Sequence, residues 1–271
     1  MELSITNIMA YFLLFMIYAI LGWCMEVTCK LIDYKKFVNR GFLIGPYCPI
    51  YGYGALLITF LLGRYANDPI VLFVMTTVVC GTLEYLTSYF MEKIYKARWW
   101  DYSKRKFNIN GRICLGTLIP FGIFGLLVIY ILNPFFLGKI SLLTDTWLKI
   151  LFYVSLSIFV VDNIVSGIVI GYVKKTEKAF TPEVDNTEEM TAKVKEVLQN
   201  KSPLHRRLLN AYPKLQAVKV KIKEKKEQIK EQIVEQKKEI EDKAKEVERR
   251  VEDKTKKVEE KVKKLKDNKI E

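Results

Sequence analysis

A single histidine, His205, serves the whole 271-residue chain. The five cysteines, at positions 24, 29, 48, 80 and 114, form no CxxC pair. These shortages argue against a zinc site, a disulfide framework and a Cys–His nucleophile pair. The cysteines read as small side chains inside an apolar body. No GxxxxGK[ST] stretch occurs, so the chain lacks a phosphate loop and cannot power ATP-driven transport by itself. One remote histidine supplies no Ser/His/Asp set either. The expectation is a protein that is not an enzyme and holds neither metal nor cofactor.

Charge is scarce in the first part of the chain. Up to Val173 there are 14 Lys plus Arg against nine Asp plus Glu, whereas the remaining 98 residues carry 29 against 21. A soluble domain would spread its charges over every segment. Five apolar stretches approach or exceed the roughly 20 residues that a bilayer-crossing helix needs. They run over residues 5–29, 49–63, 69–91, 113–136 and 148–173. The second is short unless it begins in the irregular stretch before it. The first lacks a basic n-region and a cleavage site, so it is not read as a signal peptide.

Lysine and arginine cluster after the first stretch (Lys30, Lys35, Lys36, Arg40), after the third (seven residues from Lys93 to Arg112) and after the fifth (Lys174, Lys175). The other two loops hold Arg64, then Lys139 and Lys149. By the positive-inside rule this alternation places the N-terminus outside and the tail in the cytoplasm. The expected fold is all-α, a multi-pass protein of the cytoplasmic membrane with five transmembrane helices. Its domains are residues 1–173 (membrane body), 174–217 (a partly disordered cytoplasmic linker with short helices) and 218–271 (a charged helix).

Three acids fall within the apolar stretches, where an ionised side chain is costly: Glu26, Glu84 and Asp162. Each lies on a stripe of small or polar residues: Tyr11, Tyr18, Gly22 and Glu26; Thr77, Gly81, Glu84 and Ser88; Ser155, Asp162 and Ser166. Such stripes face protein rather than lipid. Counted from the boundary lysines at about 1.5 Å per residue, the acids stand about 6, 13 and 18 Å deep. Facing one another, they form a candidate polar path for a cation or proton, or a cavity for a cationic group. The alternative is that they are neutral or paired, with Glu26 or Glu92 answering Arg40, Arg98 or Arg112.

Two loops have unusual composition. Residues 41–52 hold Gly41, Gly45, Pro46, Pro49 and Gly52, which permit bends and remove backbone donors. They are read as an irregular, protein-packed entry to the second helix, docked on the third loop and capping the acids. In that loop Trp99, Trp100 and Tyr102 suit an aromatic belt at headgroup level. A belt explains neither Asp101 nor the Asn110-Gly111 turn.

The blocks "GWCMEV" (22–27), "FVNRGFLIGPYCPIYGYGALL" (37–57), "LEYLTSYFMEK" (83–93) and "RWWDYS…FNINGRICL" (98–115) resemble, in order, the CmpB-like family of bacterial ABC-transporter type IV membrane proteins. The likeness covers about the first 170 residues. It implies a permease-like transport component that depends on a separate ATPase subunit. It also implies a site at the cytoplasmic face drawn from Asn39, Arg40, Pro46, Tyr51, Glu92, Trp99, Trp100, Asp101, Tyr102, Asn108 and Arg112. Ser88 stands where the family pattern has glycine, and residues 119–122 depart from its aromatic-glycine pattern.

From Val218 the chain repeats every eleven residues, with Val218, Ile229, Ile240, Val251 and Val262 in the leading place. Eleven residues in three turns favours a straight or slightly right-handed helix. A narrow apolar stripe among Glu–Lys pairs suits a spacer, weak binding to anionic lipid, or self-association as a coiled coil. Acids nearly balance bases there, which argues against nucleic acid. The second functional reading is therefore a membrane scaffold or lipid-organising protein whose tail engages the inner leaflet or a partner.

Overall fold

A computed structural model describes residues 5–180 and 187–217, and the eleven-residue repeats lie outside them. The chain divides after Lys219 into a unit containing every described residue and a second, Val220–Glu271, beyond them. Helix α1 spans Ile5–Tyr34, α2 Pro49–Leu57, α3 Pro69–Tyr95, α4 Leu115–Leu127, α5 Asn133–Ser141 and α6 Asp145–Phe180. A π-helical turn, Val128–Leu132, joins α4 to α5 into one rod. Four helical rods among the described residues are long and apolar enough to cross a membrane: Ile5–Tyr34, Pro69–Tyr95, Leu115–Ser141 and Asp145–Glu177. The second apolar stretch is helical too, but in pieces. Nine α-helical residues pass into a π-turn at Ile58–Leu62 and a 3-10 turn at Gly63–Tyr65.

Local chemistry sets the ends of these helices. Pro49 opens α2, where its missing N–H costs nothing. Asp68 caps α3 by accepting from the amides of Ile70 and Val71 at 3.0 Å, with Pro69 in the first helical place. Lys96 closes α3 in the left-handed conformation, φ 56°.

Helices α3 and α4 approach closely because Gly122 and Gly125 leave room for Phe73, Thr77 and Thr76. Leu14, Tyr18, Ala55, Ile58, Leu72 and Val128 fill the space among α1 to α4. The outer face of α6 shows Ile158, Val161, Ile164 and Ile168 to the surroundings. Apolar surface of that extent marks contact with lipid or a partner.

Residues 35–48, 96–114 and 187–217 converge at one end of the bundle, called here the basic end. Residues 187–217, within the segment read as a linker with short helices, hold two helices and a two-residue strand. Helix α7 (Thr187–Lys201) buries Met190, Val194 and Leu198, spaced four apart along one face. Helix α8 (Pro203–Ala211) buries Leu208 and Leu209. These residues share a core with Ala97, Trp99, Ile170 and Val173. Each such side chain contributes about 1.5–3 kcal/mol when fully buried, enough for a small cap to hold.

The mostly helical fold also carries four two-residue strands among the described residues. Strand β1 (Ala97–Arg98) pairs antiparallel with β4 (Gln216–Ala217), and β2 (Asn108–Ile109) with β3 (Ile113–Cys114). The second pair is a hairpin turned by Asn110 and Gly111, both at positive φ (52° and 66°). Asn-Gly favours this conformation.

Candidate functional site

Residues 35–48 have no regular structure, and several of their backbone groups are bonded by other elements. Asp162, from the middle of α6, accepts from the amides of Ile44 (2.9 Å) and Gly45 (2.7 Å), the hydroxyl of Tyr47 (2.6 Å) and the hydroxyl of Ser166 (2.7 Å). Gly45 is required there, because a Cβ would meet both the Tyr47 ring and the Asp162 carboxylate. Asn39 holds the same segment, accepting from the Trp23 indole at 2.8 Å and donating to the Ile44 carbonyl at 3.1 Å. Pro46 is exposed. Irregular backbone between helices survives when protein groups replace water in this way.

Phe42 then stacks on Tyr212 (4.5 Å between centroids) and meets Trp99 edge-on (4.8 Å). The irregular segment is therefore docked on the third loop, as its composition implied. Trp99 is only 3% exposed, inside the cap core, and the Trp100 indole donates to the Arg112 carbonyl at 3.0 Å. Neither lies in an outward-facing aromatic belt.

The third loop is held by ions. Glu92 bridges Arg98 (3.1 Å) and Arg112 (3.0 Å). Arg112 also donates to the Ser88 hydroxyl at 3.2 Å, which gives the serine at that position a task glycine could not perform. Asn108 donates to the Arg105 carbonyl and accepts from the Gly111 amide, fixing the hairpin. Burial alone would raise the Asp101 carboxyl. Hydrogen bonds from the Ser103 side chain and backbone, with the charge of Arg98, outweigh it and hold the group below the usual carboxylate range.

Glu26 pairs with Arg40 (3.3 Å) and accepts from the Tyr51 hydroxyl (2.7 Å). Gly22, one turn earlier, lets the Tyr51 ring lie against α1, since a Cβ there would overlap the ring. Arg40 also donates to the Ala211 carbonyl at the end of α8 and lies over the Tyr212 ring at 5.0 Å. Arg207 donates to the carbonyls of Gly41 (3.1 Å) and Phe42 (3.0 Å). The cap thus clasps residues 40–42 directly.

Behind this clasp is a cavity of about 400 Å³. Helices α1, α2, α3, α4 and α6 all contribute to its wall, through Glu26, Tyr51, Glu84, Phe124 and Asn163 among others, and Tyr212 closes it from the cap. Two of the three intramembrane acids meet there. Asp162 does not line it, being committed to the loop backbone. Glu84 is 8% exposed and has the Thr117 hydroxyl at 3.3 Å. Tyr102 stands between the third loop and this wall. Burial first, then the carboxylates of Glu84 and Glu26, push its phenol above the ordinary range. Thr117, Tyr212 and Arg207 escaped the sequence reading, because nothing in their local pattern shows which distant residue they meet.

A comparison with protein families matches residues 13–167, more than half of the chain, to the family described as Putative ABC-transporter type IV. The chain belongs to this family. Comparison with curated proteins returned no match, and comparison with solved structures returned none. The CmpB-type match runs from Leu13 in α1 to Gly167 in α6, and so includes Glu26, Glu84, Asp162 and the clasped loop. Membership and the apolar helices are those of a membrane transport component. The cap helices α7 and α8 lie beyond the matched residues.

Proposed function

We propose that this protein is a permease-like component of a transport system in the cytoplasmic membrane, driven by a separate ATPase subunit. The observation that carries the reading is the cavity enclosed by five helices, with Glu26, Arg40 and Glu84 on its wall. Family membership supports the same conclusion.

The topology has support of its own. Residues 35–48 and 96–114 meet at one end through Phe42 and Trp99, so the chain between them goes out and returns. This supports reading α2 with its π-turn as a further crossing beside α3, for five in all. The lysine and arginine bias supports a cytoplasmic basic end. There the cap and the third loop offer a polar surface for a partner subunit.

The test is purification of the intact protein from its native membrane in mild detergent, with mass spectrometry of what accompanies it. A stoichiometric nucleotide-binding subunit is expected. Recovery of the protein alone or with lipid only would defeat the proposal and leave the scaffold reading in its place.

A further inference from the structure

Glu84 is the one carboxylate on the cavity wall without a cation beside it among the described residues. Glu26 is matched by Arg40, and Arg40 is held further by the Ala211 carbonyl and the Tyr212 ring. That pair is neutral and fixed in place. Around Glu84 the donors are the hydroxyls of Tyr102 and Thr117, and the second is shared. The Thr117 hydroxyl lies 3.3 Å from the carboxylate but 2.9 Å from the Cys114 carbonyl. One hydroxyl carries one proton, so it cannot serve both acceptors at once. The better-placed acceptor is the carbonyl. Glu84 therefore keeps unused acceptor capacity, and it is nine-tenths buried on a cavity wall.

The rest of the wall narrows the ligand class. Tyr51, Tyr102, Trp100, Phe121 and Phe124 present aromatic surface, and Leu83 adds apolar surface. Ring faces attract cations, by about 0.5–2 kcal/mol each according to how dry the site is. About 400 Å³ lies in the range of small organic ligands, roughly 300–1,000 Å³. A hard metal ion would need about six or more oxygen ligands. No group of three or more His, Cys, Asp or Glu among the described residues could hold one. An anion would find Arg40 already engaged and Glu84 opposing it.

We propose that the cavity binds an organic cation, an amine or quaternary ammonium with an apolar body, its charge on Glu84 and its body against the aromatic wall. This deepens the transport reading by naming its substrate class, and it rests on that reading for what the binding is for. Binding itself is tested on the purified chain, so its outcome is independent of whether an ATPase co-purifies.

The probe is benzyltrimethylammonium, with its uncharged carbon isostere as comparison, titrated calorimetrically into the full-length protein in nanodiscs. The cation is expected to bind and the isostere to bind far more weakly. Glu84→Gln is expected to weaken the cation on the order of 30-fold, the scale of removing one partner of a buried charge pair. Leu83→Trp fills the cavity while keeping Glu84, and is expected to abolish binding. It also decides the matter if Glu84→Gln does not fold. Equal affinity for cation and isostere, or full affinity in both variants, would overturn the proposal. So would a wild type that binds neither probe and shows only a proton uptake that Glu84→Gln removes.

Discussion

Asp162 and Glu84 are the same chemical group placed in two regions of one bundle, and they are used in opposite ways. At the junction of α6 with the irregular segment, Asp162 receives two backbone amides and two hydroxyls within 2.9 Å. At the meeting of α3 and α4, Glu84 receives the Tyr102 hydroxyl and a Thr117 hydroxyl that has a closer acceptor elsewhere. The first carboxylate spends its lone pairs on folding, and the second keeps part of its acceptor capacity facing a void. A buried acid is therefore not informative in itself. The number and commitment of its donors decide whether it is a clamp or a site.

The largest break in this contrast is expected at Asp162. Asp162→Ala leaves two amides and a tyrosine hydroxyl without their acceptor, at a cost of about 3 kcal/mol or more. Thermal unfolding of the purified protein should fall by several degrees, and a cysteine placed at exposed Pro46 should become more reactive to a thiol reagent. Glu84→Gln should leave unfolding nearly unchanged, since the amide oxygen can still accept from the hydroxyls of Tyr102 and Thr117. A Glu84→Gln variant as destabilised as Asp162→Ala would erase the distinction between the two regions.

A substitution at Gly22 tests the cavity side. Gly22→Ala pushes on the Tyr51 ring near its attachment to the chain, where it cannot swing aside. Overpacking of this kind costs about 1–3 kcal/mol. It should also separate Tyr51 from Glu26, visible as reduced cation binding beyond any loss of stability. A smaller effect is expected from Arg207→Ala. Loss of two bonds to the carbonyls of Gly41 and Phe42 should speed hydrogen exchange in residues 40–43 while α1 and α3 stay protected.

The smallest effect concerns His205, which is buried against Tyr172 in the cap. Burial, and then the positive charge of Lys201, hold its pKa below the usual histidine value of 6.5. The folded cap therefore keeps this ring neutral, and the unfolded chain binds the proton more readily. Stability from this source is complete above about pH 6.5 and is lost as the pH falls toward and through the lowered value. Hydrogen exchange across α8 should accelerate on acidification through that window, and His205→Phe should flatten the dependence. No change with pH in the wild type would mean that the ring is solvated.

Much of the bundle was legible in sequence because its determinants are local or periodic. The apolar lengths, the Asn110-Gly111 turn and the proline starts of α2 and α3 each act over a few residues. The ion pairs of Glu26 and Glu92 could be anticipated from the few arginines near them. The use of Asp162 could not, because three of its four partners lie 115 to 118 residues away and two of those are backbone amides with no side-chain signature. The cap escaped for a related reason. Strand β4 is two residues long, and only its pairing with Ala97 and Arg98 makes it a strand at all.

The contact of Arg40 with the Ala211 carbonyl has a consequence for the order of events at the ribosome. The two residues are 171 positions apart, and Arg207 lies 165 and 166 from the carbonyls it meets. The loop that ends at Cys48 is therefore synthesised long before the helix that fastens it. Through the making of α3, α4 and α6 the mouth of the cavity has no lid, and Arg40 can reach only the glutamate on its own neighbouring helix. Closure is a late act of biogenesis, completed when α8 emerges. A chain stalled before Pro203 would carry an assembled wall with an open door.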